Sequence, residues 1–432
     1  MSSAEFGSLT LVLLVVVTTA HLLGYLFVKL RQPRVIGEIL AGVVLGPSLL
    51  GHFLPSLSNK IFVANSPSDH HATILGFLYQ LGLLLLMFAS GAETRGLFNR
   101  QDTREVAWLG LVGTGLPFAF SLVLAPLLPL NSLMGSAGQT TPLLLVVSIA
   151  MAVTSIPVIS KILHDLQILH TRFARLILGV AVMEDVVLWA VLAVATALAK
   201  SGTVPHAEIV RHVSSALAYF AVGLLVAPKV IKRLNRSRFN VLVTDAPIAY
   251  VMLILLAYAA LAALLDVSLV FAAFLAGLAV IRDERLTEAV HTVSRISFAI
   301  FIPIYFAVVG YKLDLSKTFS FGMLAFFLVA GCLMKLVSAG IGARLAGFNT
   351  GDSVNLAMAL NARGGPGIVL ASVAFEAHII NANFYTTLVL FAVLTSEIAG
   401  AWLDYVLRKG WPLLSGEELE AERPVPEQPA VV

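Results

Sequence analysis

Apolar runs of about twenty residues, parted by short stretches rich in charge, glycine or proline, repeat along almost the whole chain. A hydrocarbon core about 30 Å thick takes roughly 20 helical residues to cross, since each advances the helix by about 1.5 Å. The pattern therefore predicts an all-α, polytopic membrane protein of about thirteen spans. They are Leu9–Leu30, Val35–Leu50, Ala72–Ala92, Val106–Leu128, Thr141–Leu163, Phe173–Leu198, Val213–Ile231, Val241–Leu265, Leu269–Ile281, Ile296–Val309, Phe319–Leu345, Val354–Phe375 and Phe384–Leu407. The run that ends before Arg282 is short, and its start depends on the break at Asp266, so twelve spans is the competing count.

Two spans are interrupted. Thr154-Ser155-Ile156-Pro157 breaks the one from Thr141, and Arg363-Gly364-Gly365-Pro366-Gly367 breaks the one from Val354. Proline lacks an amide hydrogen and glycine tolerates non-helical geometry, so both places should free backbone polar groups that need partners within the membrane. Four consecutive breakers, Gly364 to Gly367, are not expected to stay helical. A long apolar helix follows each interruption, as expected of two inverted repeats whose broken helices line a mid-membrane site. The first of these long helices carries an adjacent acidic pair, Glu184 and Asp185, in the middle of Phe173–Leu198. Ionisable groups at that depth are costly and point to a proton or cation pathway.

Composition removes alternatives. The chain is 58% hydrophobic and 12% charged, against about 25% charged in soluble domains. A net charge of +3, with basic residues scattered in short clusters, gives no footprint for nucleic acid, and membrane lipid is the expected surrounding partner. The single cysteine, Cys332, excludes an intrachain disulfide. Residues 1–8 carry Glu5 and no basic residue, so the first run reads as a retained helix rather than a cleaved signal. With thirteen spans, the basic clusters around Arg31, Arg34, Arg95, Arg100, Arg104, Lys229, Lys232, Arg233, Arg236, Arg282, Arg285, Arg408 and Lys409 fall on one side. Lys60, Lys200, Arg211, Lys312 and Lys317 fall on the other. The positive-inside rule then puts the carboxyl terminus in the cytoplasm, with the chain in the cell's inner (plasma) membrane. Residues 1–411 form the expected membrane domain. Residues 412–432, with Glu417, Glu418, Pro424, Pro426 and Pro429, read as a disordered cytoplasmic tail.

Several stretches together resemble the second family of monovalent cation:proton antiporters, which includes Kef-type proteins and bacterial Na+/H+ exchangers. They are Gln32-Pro33-Arg34-Val35-Ile36-Gly37-Glu38-Ile39-Leu40-Ala41-Gly42 running on to Leu45-Gly46-Pro47-Ser48-Leu49-Leu50-Gly51, then Thr154-Ser155 before Pro157, the acidic pair, Phe274-Leu275-Ala276-Gly277, Lys335, and Asn361-Ala362-Arg363-Gly364. The resemblance covers residues 9 to 409. It implies a homodimer in which a core bundle, with two crossed broken helices beside the acidic pair, moves like an elevator against a dimerisation bundle. It also implies that Asp185 carries the ion and the proton, and that Glu184 faces a lysine on a later span, the position Lys335 fits. Glu184 departs from the pattern, since relatives have aspartate or a neutral residue there.

Neighbouring helical residues point about 100° apart, so one acid can meet the ion while the other meets a neighbour. An ionised Asp185 would bind a hard cation, Na+ or K+, together with oxygens from Thr154 or Ser155, backbone carbonyls and water. A proton would discharge it. The only metal expected is this transported ion at Asp185; no cofactor is implied. Arg363 could balance the acids or the carbonyl end of a half-helix, but pairing with Glu397 or Glu376 is the reading preferred from sequence. Glu397 reads as a nearby partner or a solvated end-of-helix acid. His164 and His170 read as solvated loop residues, Asp69-His70-His71 as no metal site, and Gly110, Gly113 and Gly115 as helix-packing positions. The alternative function is a proton- or sodium-coupled transporter of an organic or ionophoric solute on the same fold. An intramembrane aspartyl protease would need a second acidic segment, and a channel a filter-like repeat; neither is present in the sequence, so no enzyme activity is expected.

Overall fold

The computed structural model describes residues 3–30, 32–56, 71–93, 102–124, 129–169, 171–200, 206–237, 240–265, 267–280 and 284–415. Asp69, His70, His170, Asp266, Arg282 and residues 416–432 of the expected tail lie outside the described residues. The principal helices are α1 (Ser3–Lys29), α2 (Arg34–Leu45), α3 (His71–Glu93), α4 (Thr103–Leu124), α5 (Thr140–Ala152), α6 (Ile156–Asp165), α7 (Arg172–Lys200) and α8 (His206–Leu225). They continue with α9 (Pro247–Leu264), α10 (Leu269–Val280), α11 (Thr287–Ile296), α12 (Ile302–Tyr311), α13 (Phe321–Leu345), α14 (Thr350–Ala359), α15 (Gly364–Glu376) and α16 (Ala382–Arg408).

Among the described residues, ten helices are long and apolar enough to cross a membrane, and eleven if α14 and α15, bent by 45°, count as one span. The expected count of about thirteen is not what length and composition give. The run Thr141–Leu163 is divided into α5 and α6, of 13 and 10 residues, and Leu269–Ile281 is the 12-residue α10. Another span starts earlier than expected. α11 buries Ala289, Val290 and Val293 while presenting Glu288 and Arg295, so its charged face hid it from a search for apolar runs. It continues through a wide π turn, Ser297–Phe301, into α12.

Contacts sort the helices into two groups. In one, α1 packs on α2, α2 on α12, and α3 on α10 and α12. In the other, α4 packs on α5, α7 and α13, α13 on α14, and α15 on α16. α8 touches both, through α7 and α10. The first group crosses through reciprocal glycines. A Cβ on Gly42 would run into the Ala307 carbonyl and one on Gly310 into that of Ile39; Gly91 and Gly277 stand in the same way against Phe274 and Phe88. Small residues let backbones approach this closely. This gives a packing reason for Gly42 in the opening motif and for Gly277.

Packing against the helices continues past residue 411. Leu413 and Leu414 are buried, Asn355 Nδ2 donates to the Leu413 carbonyl at 3.1 Å, and the Ser415 amide donates to Asp352 at 2.8 Å. The first residues of the expected tail thus pack on the start of α14.

Candidate functional site

The breaks lie slightly before the prolines that announced them. α5 ends at Ala152, and Val153 takes an extended conformation before α6 begins at Ile156, with Pro157 its second residue. In the second half, Leu360 to Arg363 form the break, while Gly364, Gly365, Pro366 and Gly367 make the first turn of α15. The expectation that these four could not remain helical is corrected. Proline fits a helix's first turn because its missing amide has no intrahelical acceptor there. Gly364 is needed for two reasons: its φ is +34°, and a Cβ there would press into Val158 and Ser155.

The two breaks hold each other. The Ser155 amide donates to the Ala362 carbonyl at 2.7 Å, and Thr154 Oγ1 donates to the Leu360 carbonyl at 2.6 Å. Thr154 and Ser155 are both fully buried. On the other side, the Gly364 amide donates to Ser396 Oγ of α16 at 2.9 Å.

Freed carbonyls at the end of α5 meet two cations. Arg363 donates through Nε to Ala150 and through Nη2 to Met151, each at 3.0 Å. Its Nη2 also reaches the Gly331 carbonyl at 3.0 Å, and Nη1 reaches Asn361 Oδ1 at 2.6 Å. The guanidinium lies 4.4 Å from the centre of the Phe391 ring. Lys335 Nζ donates to the Ala152 carbonyl at 2.6 Å. These donors sit where the helix dipole leaves partial negative charge. The preferred pairing of Arg363 with Glu397 or Glu376 is overturned. Glu376 instead meets Lys312 and Gln80, because it ends α15, a full helix length from Arg363.

Lys335 also reaches the acidic pair. Its Nζ lies 2.8 Å from Glu184 Oε1, with both side chains fully buried, and Thr114 Oγ1 donates to the same oxygen at 2.5 Å. Glu184 Oε2 has no hydrogen-bond partner among the described residues. Asp185, the next residue, is 0% exposed on the same helix, which packs on α4, α5 and α6. A single ammonium therefore ties the acid beside Asp185 to the first break. Glu184, Asp185, Lys335 and Arg363 are all fully buried.

Sequence reasoning missed Thr114, Asn361 and Ser396. Thr114 stood among glycines on α4 that signalled only close packing, and one of these, Gly113, does receive Ser338 Oγ on its carbonyl at 3.2 Å. Asn361 belonged to a quoted motif, yet nothing in its spacing told that it would seat Arg363. Arg363→Lys is expected to lower the thermal midpoint of the purified protein, at a cost of about 1–3 kcal/mol, because one ammonium cannot serve carbonyls on α5 and α13 together. An unchanged melt in detergent would show that these bonds do not hold the crossing.

The sequence model for the transmembrane sodium/hydrogen exchanger family matches residues 15–409. K(+)/H(+) antiporter 1 of Saccharomyces cerevisiae is 27% identical over 86% of this chain and 43% of its own length. Na(+)/H(+) antiporter NhaS4 of Synechocystis is 26% identical over 89% of this chain and 94% of its own. The chain thus spans under half of the yeast relative and nearly all of the cyanobacterial one. The sodium proton antiporter MjNhaP1 of Methanocaldococcus jannaschii superposes with a TM-score of 0.62 at 17% identity, covering 96% of this chain and 99% of that one.

Proposed function

The chain belongs to the transmembrane sodium/hydrogen exchanger family, and on that premise we propose that it is a secondary transporter exchanging a monovalent cation, Na+ or K+, for protons, with Asp185 as the carboxylate that both ions share. The observation that carries this reading is the burial of Asp185 beside a glutamate already engaged by Lys335 and Thr114. Glu184 is paired in place with Lys335, and this reading gives the transported ion to its fully buried neighbour, Asp185.

A bare carboxylate is too costly to carry through a water-poor core, whereas one neutralised by a cation or a proton is not. Exchange follows if the core group, α4–α7 with α13–α16, changes sides only when Asp185 is neutralised. We take this motion to be elevator-like, against α1–α3, α10 and α12, in a homodimer within the cell's inner membrane with the carboxyl terminus in the cytoplasm. Thr154 and Ser155 are the hydroxyls that the first break offers. In the described arrangement the Thr154 hydroxyl serves the Leu360 carbonyl, so it would accept a cation only through its oxygen lone pairs. The names of the relatives, one for Na+ and one for K+, leave the ion to experiment. Like them, this chain is read as a transporter and not an enzyme.

The test is purified protein in proteoliposomes with an internal pH dye and an imposed proton gradient. Adding Na+ or K+ is expected to dissipate the gradient with a saturable dependence on at least one of them. No response to Na+, K+ or Li+ while an organic solute dissipates the gradient would replace cation exchange with coupled solute transport.

A further inference from the structure

The two helix groups meet differently at the two ends of the molecule. At the end where α16 finishes, a cavity of about 620 Å³ separates Leu30 and Gln32 of the first group from Lys161, Ser396, Glu397 and Asp404 of the second. Ser396 is the residue whose hydroxyl receives the Gly364 amide, so this cavity extends to the second break. At the end where α16 begins, the same two groups are joined by side chains. Lys312, just past α12, lies with its Nζ 3.5 Å from Glu376 Oε1 at the end of α15. Gln80 of α3 donates to Glu376 Oε2 at 2.9 Å. The Lys312 ammonium stands 3.8 Å from the centre of the Tyr79 ring, also on α3. Deeper in the same seam, Tyr305 of α12 donates to Ser372 of α15 at 3.2 Å.

Resting on the exchange reading above, we propose that Lys312, Glu376 and Gln80 form a latch that closes the ion site at the end opposite the carboxyl terminus, and that it must part for the site to open there. Glu376 is the one core-group member, and each of its oxygens is engaged by a different element of the other group. Burial holds the Lys312 ammonium below the ordinary lysine range, with Glu376 opposing that shift. Separating the groups therefore strands a partly desolvated ammonium over Tyr79, and the carboxylate loses both partners. Polar contacts of this kind set which end is open without touching the ion, since a modest difference between two states moves their populations severalfold.

The measurement is labelling by a hydrophilic maleimide of protein in lipid nanodiscs, with Cys332→Ser as background and Val373→Cys as reporter. Val373 is buried one turn before Glu376. Lys312→Ala and Glu376→Gln are each expected to raise the labelling rate roughly three- to tenfold. Exchanging the pair, Lys312→Glu with Glu376→Lys, should return it to within about twofold of the parent. If either single change elutes as aggregate, Lys312→Gln takes its place with the same expected increase. Unchanged labelling in the single variants, or a swap no closer to the parent than they are, overturns the latch. Labelling needs no transported ion, so this result and the exchange assay fail independently.

Discussion

Asp185→Asn is expected to abolish cation-driven proton exchange in proteoliposomes, by at least about 100-fold, while the protein stays folded. Asparagine has the size of aspartate and can still hydrogen-bond, so a fully buried site need not rearrange. It can neither take up a proton nor carry the charge that holds a cation, which removes both halves of the proposed cycle. Glu184 cannot substitute: its Oε1 is held by Lys335 and Thr114, and it points about 100° away around α7. Asp185→Glu keeps the charge but moves it by one methylene, so it should retain slower exchange. Undiminished exchange in Asp185→Asn would show that the proton and the cation meet elsewhere, and the assignment of Asp185 would fall.

The acidic pair and the two interruptions were legible because each violates a local rule: charge in hydrocarbon, and proline or glycine in an apolar helix. Their consequences were less so. Pro157 and Gly364–Pro366 mark the breaks in the sequence, yet in the fold they start the half-helices that follow. A residue that cannot continue a helix is often one that can begin it. The sequence points Arg363 toward an acid because acidic side chains are written in residue letters, whereas carbonyl oxygens are common to every residue. In the fold its donors go to the carbonyls of Ala150, Met151 and Gly331 and to Asn361, groups that residue letters do not distinguish. Thr114 had no signal for a similar reason, since a lone hydroxyl on an apolar helix more often bonds its own preceding turn. The short α10 and the divided α5 and α6 were among the thirteen expected spans and fall outside a count by helix length in the fold, because helices packed inside a bundle need not each present twenty apolar residues to lipid.

Lys335→Ala should destabilise the protein by about 3–5 kcal/mol, the usual cost of leaving one member of a buried ion pair. The loss has two parts: Glu184 keeps only the Thr114 hydroxyl as a donor, and the Ala152 carbonyl loses the ammonium that closes the end of α5. Adding Glu184→Gln to the same chain removes the uncompensated charge but does not restore the donor to Ala152. The double variant is therefore expected to recover most of the lost stability and not all of it, as thermal melts of the four proteins in one detergent would show. A double variant as unstable as Lys335→Ala would mean that the carbonyl, not the carboxylate, is what Lys335 serves. The same set separates a fixed brace from a switch. If Lys335 releases Glu184 during the cycle, the double variant exchanges ions with a shifted pH profile, because a titrating pair beside Asp185 has been replaced by neutral groups. If the pair only holds α7 to α13, the profile keeps its shape and the rate alone falls, and Asp185 then bears the whole coupling between cation and proton.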